Sequence, residues 1–282
     1  MNTRIITRFA PSPTGYLHLG HAHSALTAFR AAGDSGGRFL LRIENIDPER
    51  CRPEYEAAIL EDLAWLGLAW EEPVRRQSEH LDDYAAALQK LEDMGVLYPC
   101  FCSRREIAAE IARMGHAPHG PEDQLYPGTC RALEICERQR RMESGMPYAL
   151  RIDSARAVHM AGKLTWHDQL AGEQQAQPGI LGDAILARKD TPMSYHLCVT
   201  VDDALQDVNL VIRGCDLFHA THLHRLLQAL LGYETPEYRH HPLLLNARGV
   251  KLSKRDGAIA IRDLRAAGKS PAEVRALAGI AD

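Results

Sequence analysis

The chain has 282 residues, 45% of them hydrophobic, which suffices for one large core with a subdomain inserted in it but not for several full domains. Its 33 basic and 37 acidic side chains leave a net charge of −4, which argues against an extensive nonspecific grip on a polyanion while allowing local nucleic-acid contacts. Residues 1–10 carry Arg4 and Arg8 without a long apolar core, and no stretch approaches the roughly 18 apolar residues of a membrane span, so a cytoplasmic protein with neither signal peptide nor membrane partner is expected.

In chain order, Thr3–Phe9 predicts a short buried strand, Ala10–Gly15 a Pro- and Gly-rich loop, and Ala22–Ala32 an Ala-rich helix ended by Gly33. Phe39–Ile43 predicts a second strand, Pro53–Leu66 a helix with proline at its start, and Leu81–Met94 an amphipathic helix ended by Gly95. This alternation is the doubly wound pattern that places ligands at the carboxyl ends of parallel strands. From Tyr98 to about Ala176 the rhythm breaks into cysteines, a Pro/Gly/His stretch at 115–121 and strand-like runs at Tyr148–Asp153 and Lys163–His167, which predicts an inserted α+β subdomain. Alternation resumes with a strand at Asn209–Arg213 and a helix at Ala220–Leu231 ended by Gly232. The expected organisation is therefore residues 1–97 and 177–282 as two halves of a Rossmann-type α/β domain, with 98–176 inserted between them.

Two segments carry the chemistry. Strand, loop and helix in that order put His18 and His21 near a helix N-terminus, where amide groups and the macrodipole favour an anion, and Gly20 permits close backbone approach. Far downstream, Lys251 and Lys254 flank Ser253 ahead of Asp256-Gly257, as in a loop that supplies positive charge. Phosphate transfer relies on positioning and electrostatic stabilisation, so the pair points to ATP. Taken singly, a His-x-x-His cluster and a Lys-x-x-Lys pair are commonplace; the weight lies in their joint presence. Seven cysteines argue against a disulfide framework, and Cys100, Cys102 and Cys130, with Tyr126 nearby, are suited to one tetrahedral Zn²⁺. On general chemistry His116 or His119 is a better fourth ligand than a tyrosine, whose phenol must give up its proton. Cys51, Cys136, Cys198 and Cys215 are expected to bind no metal. Arg104, Arg105, Arg131, Arg138, Arg140 and Arg141 form the densest basic region, though pairing with Glu106, Glu110, Glu134 and Glu137 accounts equally well for any one of them.

The run Arg8-Phe-Ala-Pro-Ser-Pro-Thr-Gly-Tyr-Leu-His-Leu-Gly-His21, answered by Lys251-Leu-Ser-Lys-Arg255, resembles the HIGH and KMSKS signatures of class I aminoacyl-tRNA synthetases. The wording of the first run, Arg42-Ile-Glu-Asn-Ile-Asp-Pro-Glu-Arg50, Ser194–Asp203 and Asn209–Gly214 are similar to the glutamyl branch, and the resemblance spans nearly the whole chain. It implies a class I Rossmann-type sheet with an inserted zinc-containing subdomain. It also implies catalytic roles for His18, His21, Lys251 and Lys254, and ATP contacts from His18, Gly20, His21 and Lys254. For a glutamate pocket it implies Arg8, Phe9, Ala10, Pro11, Ser12, Glu44, Tyr195 and Arg213. Within that pocket, Arg8 and Arg213 supply forked donors for carboxylates, Glu44 accepts from the ammonium, and Ser12 and Tyr195 add neutral hydrogen bonds. For zinc, the resemblance puts Tyr126 in the fourth ligand position. Roughly thirty residues follow Arg255, too few for the helical anticodon-binding region of a full glutamyl enzyme. The chain is therefore similar to the truncated members of that branch. The expectation is a monomeric ATP-dependent ligase that uses Mg²⁺ with ATP, activates L-glutamate without tRNA, and attaches it to the queuosine base of tRNA(Asp). Two rivals share every motif: a short enzyme charging a tRNA 3′ end, and a noncatalytic glutamate- or tRNA-binding paralogue.

Overall fold

A computed structural model of the protein describes residues 4–113, 125–189, 193–245 and 259–280. Its first half begins with a strand at Ile6–Phe9 (β1), a helix at Leu19–Asp34 (α1) and a strand at Arg38–Ile43 (β2). A helix at Pro53–Trp65 (α2), a strand at Glu71–Arg76 (β3) and a helix at Leu81–Asp93 (α3) complete it. α1 starts earlier than its alanine run alone predicts. His18 caps it, and a histidine in an extended conformation with an accepting ring nitrogen serves where Ser or Asp would ordinarily be expected. Proline at the first position of α2 supplies the fixed φ that the sequence pattern anticipates.

The middle of the chain contributes a strand at Leu97–Cys100 (β4), helices at Arg104–Arg113 (α4) and Ile135–Glu143 (α5), a strand at Ala149–Ile152 (β5) and a helix at Ser154–Ala161 (α6). A hairpin of Thr165–Asp168 (β6) and Gly172–Gln175 (β7) and a strand at Ile185–Ala187 (β8) follow. The second half holds a helix at Tyr195–Leu205 (α7), a strand at Leu210–Gly214 (β9), a helix at Ala220–Leu231 (α8) and a strand at Glu237–His241 (β10). Helices at Ile261–Ala266 (α9) and Pro271–Leu277 (α10) end it.

β1, β2 and β3 form a parallel sheet in the order β1-β2-β3. β9 lies beside the other edge of β1: the Asn209 amide donates to Ile6 O at 3.0 Å, and Asn209 Oδ1 accepts from the Ile6 amide at 2.8 Å. Arg8 then reaches Ile212 O, so the two strands point the same way. β10 pairs in parallel with both β9 and β6, and β7 closes the edge antiparallel to β6. A second, antiparallel sheet runs β4-β5-β8. Pairing thus crosses the sequence position expected as a boundary at residue 176 in both directions. The β6–β7 hairpin joins the parallel sheet, and β8 joins the sheet of the inserted segment.

Period-2 alternation explains why both faces of the parallel sheet are covered. Phe39, Leu41 and Ile43 of β2, with Leu210 and Ile212 of β9, face a core shared with α1, α2, α9 and α10, whereas Leu40 and Val211 face the opposite side with Trp166 and Tyr238. α3, α6, α7 and α8 enclose a further core around Tyr84, Leu91, Leu197 and Leu227. Each fully buried leucine of this kind contributes about 1.5–3 kcal/mol. The carboxyl ends of β1, β2, β9 and β10 gather at one rim, where a doubly wound sheet binds ligands. Among the described residues, no helix is long and apolar enough to cross a membrane.

Candidate active site

A cavity of about 490 Å³ opens at that rim. Its walls include Arg8, Phe9, Ala10 and Ser12 from the end of β1 and the loop after it, His18, Gly20 and His21 from the start of α1, Glu44 after β2, Tyr195 from α7 and Arg213 from β9. Of the pocket residues expected from the sequence, Pro11 alone does not line it. Its carbonyl instead accepts the Glu44 amide at 3.0 Å, which ties the loop to the end of β2.

The two histidines cap α1 reciprocally. His18 Nδ1 accepts from the Gly20 amide and His21 Nδ1 accepts from the His18 amide, each at 3.1 Å, and the rings stack with centroids 3.8 Å apart. With both Nδ1 lone pairs engaged by backbone N–H groups, the proton of each neutral ring belongs on Nε2, a donor suited to phosphate oxygens. Gly20 fits this arrangement because a Cβ there would meet His18 Cε1 at 3.0 Å. The glycine thus accommodates the capping imidazole, whatever nucleotide approaches.

Arg8 and Arg213, alike in the sequence, differ in their surroundings. Arg8 presents its fork to Asp203, Nε at 2.9 Å and Nη2 at 3.2 Å. Asp203 also receives the fully buried Arg42 at 2.8 Å, and Arg42 reaches Asp202 at 3.4 Å and Glu44 at 3.5 Å. Asp202 is further held by Arg75, Gln77 and Tyr84. The Asp202-Asp203 pair is thus the anionic centre of a buried network under the pocket. Burial pushes the Asp203 carboxyl upward, but Arg8 and Arg42 outweigh it and hold the group below its ordinary value. Glu44 is the opposite case: burial dominates the pull of Arg42 and Arg8 and raises its carboxyl to about 7.

Arg213 is only 6% exposed and makes no ion pair with a carboxylate among the described residues. Its Nε donates to His240 Nε2 at 3.1 Å, Nη2 to Thr221 Oγ1 at 2.8 Å and Leu217 O at 3.3 Å, and Nη1 lies 3.4 Å from Tyr195 OH and 3.3 Å from His224 Nδ1. The imidazoles are neutral. Burial and the Arg213 charge hold His240 and His196 at about 4 and His224 well below the ordinary histidine value. A guanidinium buried at the wall of a cavity among neutral acceptors is arranged to receive an anion.

Sequence reasoning did not single out Thr14, His23, Ser24, Asp216, His241 and Leu244, which also line the cavity. His23 and Ser24 lie two and three residues beyond His21 on the same helix, and Asp216 closely follows Arg213, so proximity to the motifs was the available signal. His241 sits 217 residues from its partner Ser24, to which its Nε2 lies at 2.8 Å. Lys251 and Lys254 fall outside the described residues.

Away from the cavity, Cys100, Cys102 and Cys130 bring their sulfurs within 4.8 Å of one another. Tyr126 OH is 3.6 Å from Cys102 Sγ, and its ring lies beneath the Arg151 guanidinium at 3.9 Å. Hydrogen bonding with Cys100 lowers the Cys130 thiol to about 6, leaving one sulfur readily deprotonated. Three converging thiol groups plus one phenol fit a tetrahedral ion with metal–sulfur bonds of about 2.3 Å. His116 and His119 lie outside the described residues. Cys51, Cys136, Cys198 and Cys215 are absent from the cluster. In the basic region, Arg140 and Arg141 pair with Glu137, and Arg131 with Asp183.

A parallel α/β sheet with a histidine-capped helix and a buried arginine at one rim has the architecture of the doubly wound proteins that bind ligands at the carboxyl ends of their strands. Residues 4–278 match the family described as tRNA synthetases class I (E and Q), catalytic domain, and the chain belongs to that family of ATP-dependent ligases. It is 46% identical over 282 residues to a glutamyl-Q tRNA(Asp) synthetase of Rhodobacter capsulatus, covering 98% of this chain and 100% of that protein. A protein of the same name from Nocardia farcinica is 44% identical, covering 96% and 82%. Among solved structures, a glutamate tRNA ligase from Elizabethkingia meningosepticum in complex with its amino acid superimposes with a TM-score of 0.75 at 31% identity. That match covers 90% of this chain and 52% of the other, so the chain spans about half the length of that ligase.

Proposed function

We propose that the protein activates L-glutamate with ATP and Mg²⁺ to glutamyl-adenylate and pyrophosphate without tRNA, and transfers the glutamyl group to a hydroxyl on the queuosine base of tRNA(Asp) with release of AMP. The observation that carries the reading is Arg213, a buried cation in the cavity whose hydrogen-bond partners among the described residues are all neutral. The side-chain carboxylate of glutamate supplies the missing anion, and the amide of glutamine does not. Glu44, also at the cavity, accepts from the substrate ammonium, and Ser12 and Tyr195 add neutral hydrogen bonds. The α-carboxylate is left to attack the α-phosphate, forming the acyl–phosphate bond as the bond to pyrophosphate breaks. His18 and His21 hold the phosphates through Nε2, and Lys251 and Lys254 carry the charge that develops on pyrophosphate. Arg8 is assigned a second role: locked to Asp203, it lends its remaining donors to the substrate. The names of relatives matched along nearly the whole chain support transfer to queuosine.

The test follows glutamate from activation to product. The expected results are ATP–pyrophosphate exchange with glutamate in the absence of tRNA, and transfer of radiolabelled glutamate only to tRNA(Asp) bearing queuosine, retained after removal of the terminal adenosine. Label on unmodified tRNA(Glu) that vanishes with the terminal adenosine would identify an enzyme charging 3′ ends. No exchange with any amino acid would identify a noncatalytic paralogue.

The sulfur cluster is proposed to hold one structural zinc ion that fixes the inserted segment, with Tyr126 as fourth ligand. Metal analysis should find about one zinc per chain, lost in Cys130→Ser, because a structural site needs all its ligands. Full occupancy in Tyr126→Phe combined with loss in His116→Ala or His119→Ala would reassign the fourth ligand.

A further inference from the structure

Behind Arg213, on the side away from the cavity, His240 of β10 is bound to Asp168, the last residue of β6. The Asp168 carboxylate is 1% exposed and fully engaged: Oδ2 accepts from His240 Nδ1 at 2.7 Å and from the His240 amide at 3.1 Å, and Oδ1 accepts from the amides of Leu170 and Ala171, each at 2.9 Å. An ionised carboxylate can only accept, so His240 Nδ1 carries the proton and Nε2 presents its lone pair to Arg213 Nε, 3.1 Å away. The chain Asp168–His240–Arg213 places a negative charge one imidazole away from the guanidinium. Arg8, across the same pocket, has its carboxylate in direct contact.

We infer that Asp168 and His240 are positioning residues that set the selectivity of Arg213 for a carboxylate over an amide. This inference rests on Arg213 reading the side-chain carboxylate of glutamate. A carboxylate bound directly to Arg213 would compete with the substrate's own anion, as Asp203 does at Arg8. Set back by one ring, Asp168 fixes the His240 tautomer and the plane of the guanidinium without occupying the guanidinium's remaining donors. Thr221 joins His240 on the same edge, its Oγ1 within 2.8 Å of Arg213 Nη2 and 3.2 Å of His240 Nε2, so the Nε–Nη2 edge of the guanidinium is held by neutral groups. The substrate is then the first anion the guanidinium meets, and an amide, which offers no charge, is left at a disadvantage.

Asp168→Asn is the decisive variant. Its Oδ1 keeps the turn bonds to Leu170 and Ala171, while Nδ2 gives up the bond from the His240 amide, turns a donor on His240 Nδ1 and shifts the ring proton to Nε2, against the Arg213 N–H. Partners that fix the tautomer of a metal-bound histidine are worth about 10- to 100-fold, and the same scale is taken for this relay. In pyrophosphate exchange, KM for glutamate should therefore rise by about that factor and the preference for glutamate over glutamine should shrink in parallel, while kcat and KM for ATP stay within about threefold. A folded Asp168→Asn protein with the parent's KM for glutamate overturns the inference, as does one that loses kcat alone. If that variant does not fold, His240→Gln and His240→Leu decide: glutamine restores an acceptor to the Nε2 position and should bind glutamate more tightly than leucine does, and equal KM values overturn the relay. Parent protein that exchanges pyrophosphate with no amino acid would instead remove the functional reading on which the relay rests.

Discussion

Arg213→Leu is expected to raise KM for glutamate by about 10²–10³-fold while leaving KM for ATP near the parent value. The substitution removes a charge-assisted, forked hydrogen bond and leaves the substrate carboxylate buried without a partner, a loss of about 3–4 kcal/mol. Stability should respond in the other direction from intuition about buried charges. Arg213 has no acidic partner among the described residues, so its removal relieves the burial of a cation and leaves only neutral acceptors unmatched. Arg8→Leu makes the contrast, since it deprives Asp203 of its fork and leaves Arg42 as the remaining cation on that carboxylate. Thermal unfolding should place Arg8→Leu well below Arg213→Leu in Tm. Equal Tm values with equal effects on glutamate would mean that the two arginines are interchangeable, and the pocket assignment would fail.

That contrast also marks the limit of what the residues alone convey. Local signals located many of the elements: α8 covers Ala220–Leu231 and stops at Gly232, whose φ of +73° is the left-handed cap that glycine provides. Proline at the start of α2 and the alternation of β2 were equally local, and so was the clustering of Cys100, Cys102 and Cys130. What decides the chemistry is pairing between distant segments. Asp203 meets Arg8 across 195 residues and Asp168 meets His240 across 72. Neither separation leaves a periodic trace in the sequence, because the first contact joins α7 to β1 and the second joins β6 to β10, elements that only the fold brings together. The capping role of His18 was hidden for a different reason. Histidine is not a common helix cap, so a pair of histidines near a helix start points to a ligand before it points to the helix itself.

The largest kinetic effect outside the amino-acid pocket is expected at Lys254. Residues 246–258 fall outside the described structure, but the residues on either side are pinned to the active site. Leu243 and Leu244 line the cavity after β10. On the other side, Ala260 bridges to His18, and the Ile261 amide donates to Leu17 O at 2.8 Å. The described residues on both sides of that segment thus border the start of α1 and the cavity. A lysine is a compact charge on a flexible stem, which suits a group whose negative charge grows only as pyrophosphate departs. Lys254→Ala should accordingly slow adenylate formation by about 10²-fold or more, about 2.7 kcal/mol of transition-state stabilisation, with KM for glutamate within about twofold of the parent. Lys254→Arg should recover part of the rate, because the charge persists even though its geometry changes. Single-turnover formation of the adenylate, measured at saturating ATP and glutamate, separates this from a binding defect. If Lys254→Ala activates glutamate within a factor of about two of the parent, the developing charge is stabilised elsewhere and the role assigned to this loop is wrong.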